Sequence, residues 1–393
     1  KTIAFGNWTG EVGLLDAETF KPIKILPLHQ VNVKSLAFSA DGKTLTTASW
    51  DRTVKFLDVQ SGETVNELRG HFAGVHEVAY SPDGSTIATS SADFSVNLWN
   101  AGEVGKDNSL ITKNSVFQIS KDAESFAGSA SLSQEISLWS MVDKRKIWSA
   151  KTSINSFSND ISSDGKLVVF GERDGFISVF SLSDGKKVKR YQTFPQTIYA
   201  IRFSIDGRRI FTLHEDGTFQ VIDNETETVV HSQKLHTSIA KALAVSPDGK
   251  FIATGGNDRS IRVIDAESFQ ETFAFKSSLK PLYMVTFSPD SQLLATAGAD
   301  DIVRIYRISD GKLLNELTGM SAGVFAVTFS PDGKRLATSS DVGIIRLWEV
   351  ETARQVLAFT GGKKQIIDLS FTSDGNTLMS GDNDGKISFW ETK

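Results

Sequence analysis

Six histidines and a set of recurring aspartates are the side chains of this sequence that could support acid–base or metal chemistry. Three histidines each stand 22 residues before an aspartate: His29 before Asp51, His71 before Asp93 and His236 before Asp258. Catalysis would also require a nucleophile, a metal cluster or a cofactor cradle near such a pair. The sequence has no phosphate-binding Gly-x-x-x-x-Gly-Lys loop, and its histidines lack metal-ligand spacing. We therefore expect no enzyme and no catalytic, metal-binding or cofactor-binding residues.

The composition excludes several classes of protein. The chain has 393 residues, with 42 Lys plus Arg against 47 Asp plus Glu, 40% hydrophobic residues and no Cys. Without cysteine, the chain has no disulfide framework, thiolate zinc site or cysteine nucleophile. The slightly acidic balance argues against a nucleic-acid partner, and no apolar run reaches the roughly 18 residues of a membrane span. A cysteine-free chain suits reducing and oxidising compartments alike, and we take the cytoplasm as the expected location.

A turn of the Ser-x-Asp-Gly type recurs along the whole chain. Its aspartate is found at positions 41, 83, 122, 164, 206, 248, 290, 332 and 374. The interval is 42 residues, except for one interval of 39 between positions 83 and 122. Such a fixed period indicates a repeat architecture. In the copy Ser246-Pro247-Asp248-Gly249, proline presets the turn and glycine accepts its strained exit, so the turn joins two strands.

Each period predicts four short antiparallel strands. Around the turn at Asp332 these are 324–329, 335–339, 344–348 and 355–359. The runs are short, rich in β-branched and aromatic residues, and separated by turn signals, which is typical of strands. One such sheet cannot bury both of its faces, so the copies must stack, and radial stacking gives a β-propeller. The fold class is therefore all-β.

The repeats leave two alternatives for the number of blades. The chain contains ten second-to-third-strand hairpins but nine first strands, because it opens at a second strand and ends at a third. We favour one domain over residues 1–393, a single ring of nine or ten blades, with an N-terminal piece outside the printed sequence. The alternative is a seven-bladed ring plus part of a second ring, which would leave an uncovered apolar face.

The stretch from Arg69-Gly70-His71 to Leu98-Trp99-Asn100 resembles a repeat of the WD-repeat family, in its period, its Gly-His opening and its closing tryptophan. The resemblance extends over essentially the whole chain. It implies a buried hydrogen-bonded network that stabilises the blade and has no catalytic role: His71, Thr89, Asp93 and Trp99. The copies at Asp51 and Asp258 have Leu57 and Ile264 in the place of the tryptophan.

The resemblance also implies a docking face, on which two positions of each repeat are exposed. One lies in the turn between the second and third strands, just before the position that Asp51 and Asp174 occupy and Thr9 occupies in the first copy, and its notable occupants are Trp8, Trp50 and Arg173. The other lies near the start of the first strand, and the candidates there are Lys34, His76, Phe157, Tyr199, Lys241, Tyr283 and Phe325. Aromatic and cationic side chains in a polar surround are typical of binding hot spots.

These residues predict a non-catalytic scaffold that presents one face of its ring to a partner protein or peptide. Two alternatives stay open. The chain could be the sensor or assembly module of a longer signalling protein, such as an ATPase or kinase with C-terminal repeats. It could also be an enzyme whose site lies at the central channel, with one residue from each of several blades.

Overall fold

The computed structural model describes residues 2–69, 71, 73–81, 83–92, 96–101, 109–111, 116–120, 123–129, 135–141, 143–152, 156–276, 278, 280–320, 323–340, 343–361 and 364–391. No α-helix occurs in these ranges, and the regular elements are antiparallel strands. The all-β prediction is therefore confirmed.

Thirty-eight strands are described. The first ten are β1 Thr2–Gly6, β2 Glu11–Asp16, β3 Pro22–Pro27, β4 Val33–Phe38, β5 Thr44–Ser49, β6 Thr53–Asp58, β7 Thr64–Arg69, β8 Val75–Tyr80, β9 Thr86–Ser91 and β10 Val96–Asn100. The next thirteen are β11 Ser109–Ile111, β12 Val116–Ile119, β13 Ser125–Ser129, β14 Glu135–Ser140, β15 Lys146–Lys151, β16 Ser156–Ile161, β17 Leu167–Glu172, β18 Phe176–Ser181, β19 Lys187–Gln192, β20 Ile198–Phe203, β21 Arg209–His214, β22 Thr218–Asp223 and β23 Val229–Lys234. The last fifteen are β24 Ala240–Val245, β25 Phe251–Gly256, β26 Ser260–Asp265, β27 Glu271–Lys276, β28 Leu282–Phe287, β29 Leu293–Gly298, β30 Val303–Arg307, β31 Leu313–Leu317, β32 Val324–Phe329, β33 Arg335–Ser340, β34 Ile344–Glu349, β35 Gln355–Thr360, β36 Ile366–Phe371, β37 Thr377–Asp382 and β38 Lys386–Glu391.

The described strands form ten antiparallel sheets, which we number in chain order. They are sheet 1 (β1–β3), sheet 2 (β4–β7), sheet 3 (β8–β10), sheet 4 (β12–β15), sheet 5 (β16–β19), sheet 6 (β20–β23), sheet 7 (β24–β27), sheet 8 (β28–β31), sheet 9 (β32–β35) and sheet 10 (β36–β38 with β11). Eight of these sheets have four described strands, as the repeat predicts.

The recurring turn owes its shape to side-chain hydrogen bonds. In the copy between β24 and β25, the Ser246 hydroxyl donates to the Asp248 carboxylate over 2.7 Å. The same carboxylate accepts the Lys250 amide at 3.1 Å. Gly249 has a φ of 74°, a left-handed conformation that glycine adopts without steric cost. The polar turn residues therefore set the point at which one strand returns as the next.

The chain divides into two compact units, each of which is described by itself. Unit 1 comprises residues 1–107, 344–346 and 355–360, and unit 2 comprises residues 108–343, 347–354 and 361–393. Sheets 1–3 belong to unit 1, and the first strands of sheets 4–10 belong to unit 2. The single domain expected over residues 1–393 stays a prediction.

Apolar residues of the second and third strands form the core between neighbouring sheets. In unit 2, Phe211 of sheet 6 shares a buried cluster with Ile252 and Ile264 of sheet 7. In unit 1, Leu45 of sheet 2 is fully buried, whereas Ile3, at the same register position of sheet 1, is 38% exposed. One apolar face of sheet 1 is therefore partly exposed.

In unit 2 the first strands of successive sheets lie beside one another, in the order β12, β16, β20, β24, β28, β32 and β36. Strand β36 also contacts β12, where the Phe117 amide donates a 2.9 Å hydrogen bond to the Asp368 carboxylate. Strand β11 pairs with β38, with Leu110 opposite Ile387. These contacts connect sheet 10 with sheet 4. The ring of nine or ten blades that the sequence favoured stays a prediction.

Candidate functional site

The hydrogen-bonded network of sheet 3 lies in the interior. The Trp99 indole N–H donates to the Thr89 hydroxyl at 2.8 Å, and the Thr89 oxygen lies 2.8 Å from Nε2 of His71. All three residues are buried. Asp93, the fourth residue proposed for this network, lies outside the described residues.

Sheet 2 repeats this arrangement with its aspartate described. His29 contacts the Thr47 hydroxyl through Nε2 at 2.7 Å and the Asp51 carboxylate through Nδ1 at 2.9 Å. Burial acts to raise the pKa of Asp51, but hydrogen bonds from His29 and Thr53 outweigh it and hold the pKa well below its usual range. The carboxylate is thus ionised and engaged in hydrogen bonds within sheet 2, so it is not a free general base.

In sheet 7, His236 contacts Thr254 at 2.9 Å and Asp258 at 3.0 Å. Replacing Thr254 by valine is expected to lower the free energy of unfolding by about 1–3 kcal/mol, because the buried His236 nitrogen loses its partner. Denaturant titration measures the change, and Thr226→Val at an exposed turn is the control. Equal stability of Thr254→Val and wild type would show that the network does not stabilise the sheet.

The second set of candidates shares a backbone feature that the structure makes visible. In eight sheets the first strand contains a β-bulge, and in seven of them the extra residue is a candidate, whereas in sheet 10 it is Ile367. In β20, for example, Ile198 faces His214 and Ala200 faces Leu213, which leaves Tyr199 unpaired between them. A bulge re-aims the side chain of its extra residue. The bulge therefore removes the candidate side chain from the regular alternation of the strand.

Four candidates come together in unit 1. The Lys34 ammonium lies 5.3 Å from the ring centroid of Trp8 and 5.2 Å from that of Trp50. The Trp50 ring meets the His76 ring edge-on, with centroids 6.1 Å apart. We call Trp8, Lys34, Trp50 and His76 the aromatic patch of unit 1. Its ring and cation–π contacts join three successive sheets.

The two tryptophans are exposed and held by their turns. Trp8 is 78% exposed and Trp50 is 49% exposed, so neither side chain is buried between sheets. The Asn7 carboxamide oxygen accepts the Thr9 amide at 3.0 Å beneath the Trp8 turn. A β-carbon at Gly74 would lie 2.7 Å from the Trp50 ring, so the close approach of this indole requires glycine.

Four other candidates line one cavity of unit 2. The cavity has a volume of about 630 Å³ and is lined by residues from the first strands of sheets 4 to 10. Tyr283 and Phe325 stack with centroids 5.1 Å apart, and the Lys241 ammonium lies 5.6 Å from the Tyr199 centroid. We call Tyr199, Lys241, Tyr283 and Phe325 the aromatic set of unit 2.

Two candidates do not join these groups. Arg173 is exposed at the turn after β17, between Glu172 and Asp174, which both form ion pairs with Arg190. Arg173 is not among the residues that line the cavity. The side chain of Phe157 lies outside the described residues.

The same cavity contains charged residues that the sequence analysis missed. The Asp160 carboxylate accepts the Phe203 amide at 2.8 Å, and Asp368 accepts the Phe117 amide at 2.9 Å. Burial raises the pKa of Asp160 to about 6 and that of Asp368 to about 7, while the Arg202 guanidinium opposes the shift. Each carboxylate links its first strand to a neighbouring one.

A signal for two of these residues was present in the repeats. Asp160 and Arg202 stand three residues after the bulge position, where the repeats of sheets 2 and 7 have Ala37 and Ala244. A charge at a position that other repeats fill with alanine marks a local departure from the scaffold. The spacing of residues within one repeat does not reveal this departure. It becomes visible only when the same position is compared between repeats.

Three features of the molecule bear on catalytic chemistry. The buried carboxylates are used as acceptors of backbone amides. In the part of the chain that the structure describes, no group of three or more His, Asp or Glu residues could hold a metal ion. A Gly-x-Ser-x-Gly pattern at 319–323 lies between strands β31 and β32, whereas a nucleophile elbow joins a strand to a helix.

Comparison with known proteins identifies repeats over much of the chain. Residues 20–58, 62–100 and 227–265 match a family model described as WD domain, G-beta repeat. Residues 285–374 match a model described as anaphase-promoting complex subunit 4 WD40 domain. No curated protein matches the chain. Among the described residues, no helix has the length and apolar character needed to cross a membrane.

Proposed function

Because the chain belongs to the WD-repeat family, whose members typically act as protein-interaction scaffolds, we propose that it is a non-catalytic scaffold that binds a partner protein or peptide. The proposal assigns partner contact to the bulge residues of the first strands and to the turns between the second and third strands. The partner is a protein, since the charge balance offers no attraction to a polyanion.

The observation that carries this proposal is the aromatic patch of unit 1. Two large apolar rings at turn tips are exposed, although burial of such rings is favourable. Their contacts with Lys34 and His76 hold them in one place, so little side-chain entropy is lost when a partner binds. Exposed, preorganised aromatic anchors with a cation are the composition of a binding hot spot.

We also propose that sheets 4 to 10 form one ring of seven blades, with part of a second propeller in unit 1. The contact between β12 and β36 and the pairing of β11 with β38 support this count. A ring that closes by pairing its two ends has no exposed sheet edge, which protects it from edge-to-edge association. The aromatic set of unit 2 would then surround the mouth of its channel.

The test of the scaffold function is affinity capture with the full chain as bait. One bait carries Trp8→Ala and Trp50→Ala, and a second carries Tyr199→Ala and Tyr283→Ala. Each bait is incubated with an extract of the source organism, and the recovered partner is measured by quantitative mass spectrometry. We expect recovery to fall about tenfold or more for the bait whose substitutions lie on the face that contacts the partner.

A control bait carries Ile25→Ala and Val230→Ala, two exposed apolar residues on the last strands of sheets 1 and 6. Its recovery should equal that of wild type, because these positions lie away from the bulges and turn tips. Recovery that survives both aromatic variants, or that falls equally with the control, would contradict the proposed binding faces.

A further inference from the structure

Lys34 is the centre of the aromatic patch of unit 1. As the extra residue of the bulge in β4, it projects out of the regular strand alternation. Its ammonium is nearly equidistant from the Trp8 and Trp50 rings, at 5.3 and 5.2 Å. Two cation–π contacts of this kind hold a flexible lysine in a defined position. The patch therefore presents a positioned positive charge between two apolar rings.

Two acidic residues at the Trp8 and Trp50 turns have partners within the chain. The Asp51 carboxylate is bonded to His29 and Thr53, and Glu11 accepts the Asn7 carboxamide at 2.7 Å. In the described ranges, no carboxylate lies within ion-pair distance of Lys34, whereas Lys55 of the same sheet lies 3.6 Å from Glu67. The positive charge of Lys34 thus has room for a carboxylate from outside the chain.

The surroundings of the patch favour an acidic ligand over a basic one. Arg52 follows the Trp50 turn and is exposed, and His76 closes the other side of the patch. Glu77 is exposed next to His76 in the chain, and among the described residues it forms no ion pair with Lys34. A second cation would meet the charges of Lys34 and Arg52, while a carboxylate would be attracted by both.

The ligand must also cover apolar surface. The exposed indoles, with Val31 at 44% exposure in the loop before β4, offer contact area for aliphatic or aromatic side chains. Nucleic acid combines negative charge with flat bases, but the net charge of −5 on the chain repels a polyanion at long range. A single carboxylate between apolar residues fits the patch better.

We infer that the aromatic patch of unit 1 binds an acidic peptide segment, whose Asp or Glu pairs with Lys34 while its neighbouring apolar side chains pack on Trp8 and Trp50. This inference rests on the proposed scaffold function and names the chemistry of its partner. His76 supports the edge of Trp50, and Arg52 adds attraction for further acidic residues of the same segment.

The test is selection of random twelve-residue peptides on the immobilised full chain, followed by fluorescence anisotropy with the enriched peptides. Matched peptides with Asp and Glu changed to Asn and Gln, and a twelve-nucleotide oligothymidylate, serve as comparison probes. The variants are Lys34→Met, which keeps the aliphatic stem, and Lys34→Arg, which keeps the charge. Lys43→Met is the control, because Lys43 is an exposed lysine of unit 1 in the turn between β4 and β5, at the end of sheet 2 opposite the Trp50 turn.

We expect acidic peptides to be enriched, and Lys34→Met and the neutralised peptides each to weaken binding about tenfold or more. Lys34→Arg and Lys43→Met should bind nearly as wild type does, and circular dichroism should show an unchanged fold. Enrichment of peptides without acidic residues, no enrichment, unchanged affinity for Lys34→Met, or tighter binding of the oligonucleotide would overturn the inference. The capture experiment tests the scaffold function separately. If the Trp8 and Trp50 variant loses its partner in that experiment, the scaffold function is supported even when the acidic-peptide inference fails, so the two failures are distinguishable.

Discussion

Replacing Phe126 by alanine is expected to lower the free energy of unfolding of unit 2 by about 3–5 kcal/mol. Phe126 is fully buried in sheet 4, where it lies 6.1 Å from the Phe117 ring and 6.5 Å from the Trp139 ring. It also lies 6.5 Å from Phe389 of sheet 10. Its removal leaves a cavity where the first and last sheets of the unit meet. Denaturant unfolding followed by fluorescence measures the loss.

A double-mutant cycle with Phe389→Ala tests whether these two sheets are neighbours in solution. Residues in contact show a coupling energy of roughly 0.5–3 kcal/mol, whereas distant pairs are additive within about 0.5 kcal/mol. Phe275, in a different core cluster with sheets 7 and 8, provides the distant partner for a control cycle. Additive effects of Phe126→Ala and Phe389→Ala would contradict the proposed ring of seven blades.

Replacing Asp368 by asparagine is expected to stabilise the protein at pH 8, by up to about 4 kcal/mol. Burial raises the pKa of Asp368 from 3.8 to about 7 in the folded state, so the native protein binds a proton that the unfolded chain releases. The stability of the wild type therefore falls as the pH rises from about 4 through 7. The asparagine oxygen keeps the bond from the Phe117 amide without the buried charge.

The sign and range of this effect are checked by unfolding wild type and variant at pH 4, 6 and 8. The difference should be small at pH 4 and reach its full size above pH 7. Asp160→Asn should also be more stable than wild type at high pH. Its stability difference should reach its full size above about pH 6, because burial raises the pKa of Asp160 to about 6. Asp164 is an exposed control of opposite sign, since its hydrogen bond from Ser162 lowers its pKa. An Asp368→Asn variant less stable than wild type at pH 8 would contradict the buried-charge argument.

The local elements were predictable because their causes lie within a few residues. The Ser246–Asp248 bond, the left-handed Gly249 and the short β-branched strands are all local in sequence. The repeat also identified the positions of the bulge residues. Lys34 and Tyr199 lie at a fixed distance before the aspartate of the turn between the second and third strands, so sequence spacing alone selects them. The backbone distortion that makes these positions exposed was not readable from the sequence, because a bulge depends on the pairing with the second strand.

The sequence alone determined that this protein is built of four-stranded antiparallel sheets in a 42-residue repeat, because turn chemistry and strand periodicity act over short distances. The tertiary structure decided which sheets are neighbours and which side chains meet. Lys34 lies between two indoles from separate repeats, and Asp368 accepts the amide of Phe117, 251 residues away in the chain. Every repeat presents the same apolar faces, so the local pattern is equally compatible with rings of different size, and only long-range contacts distinguish them.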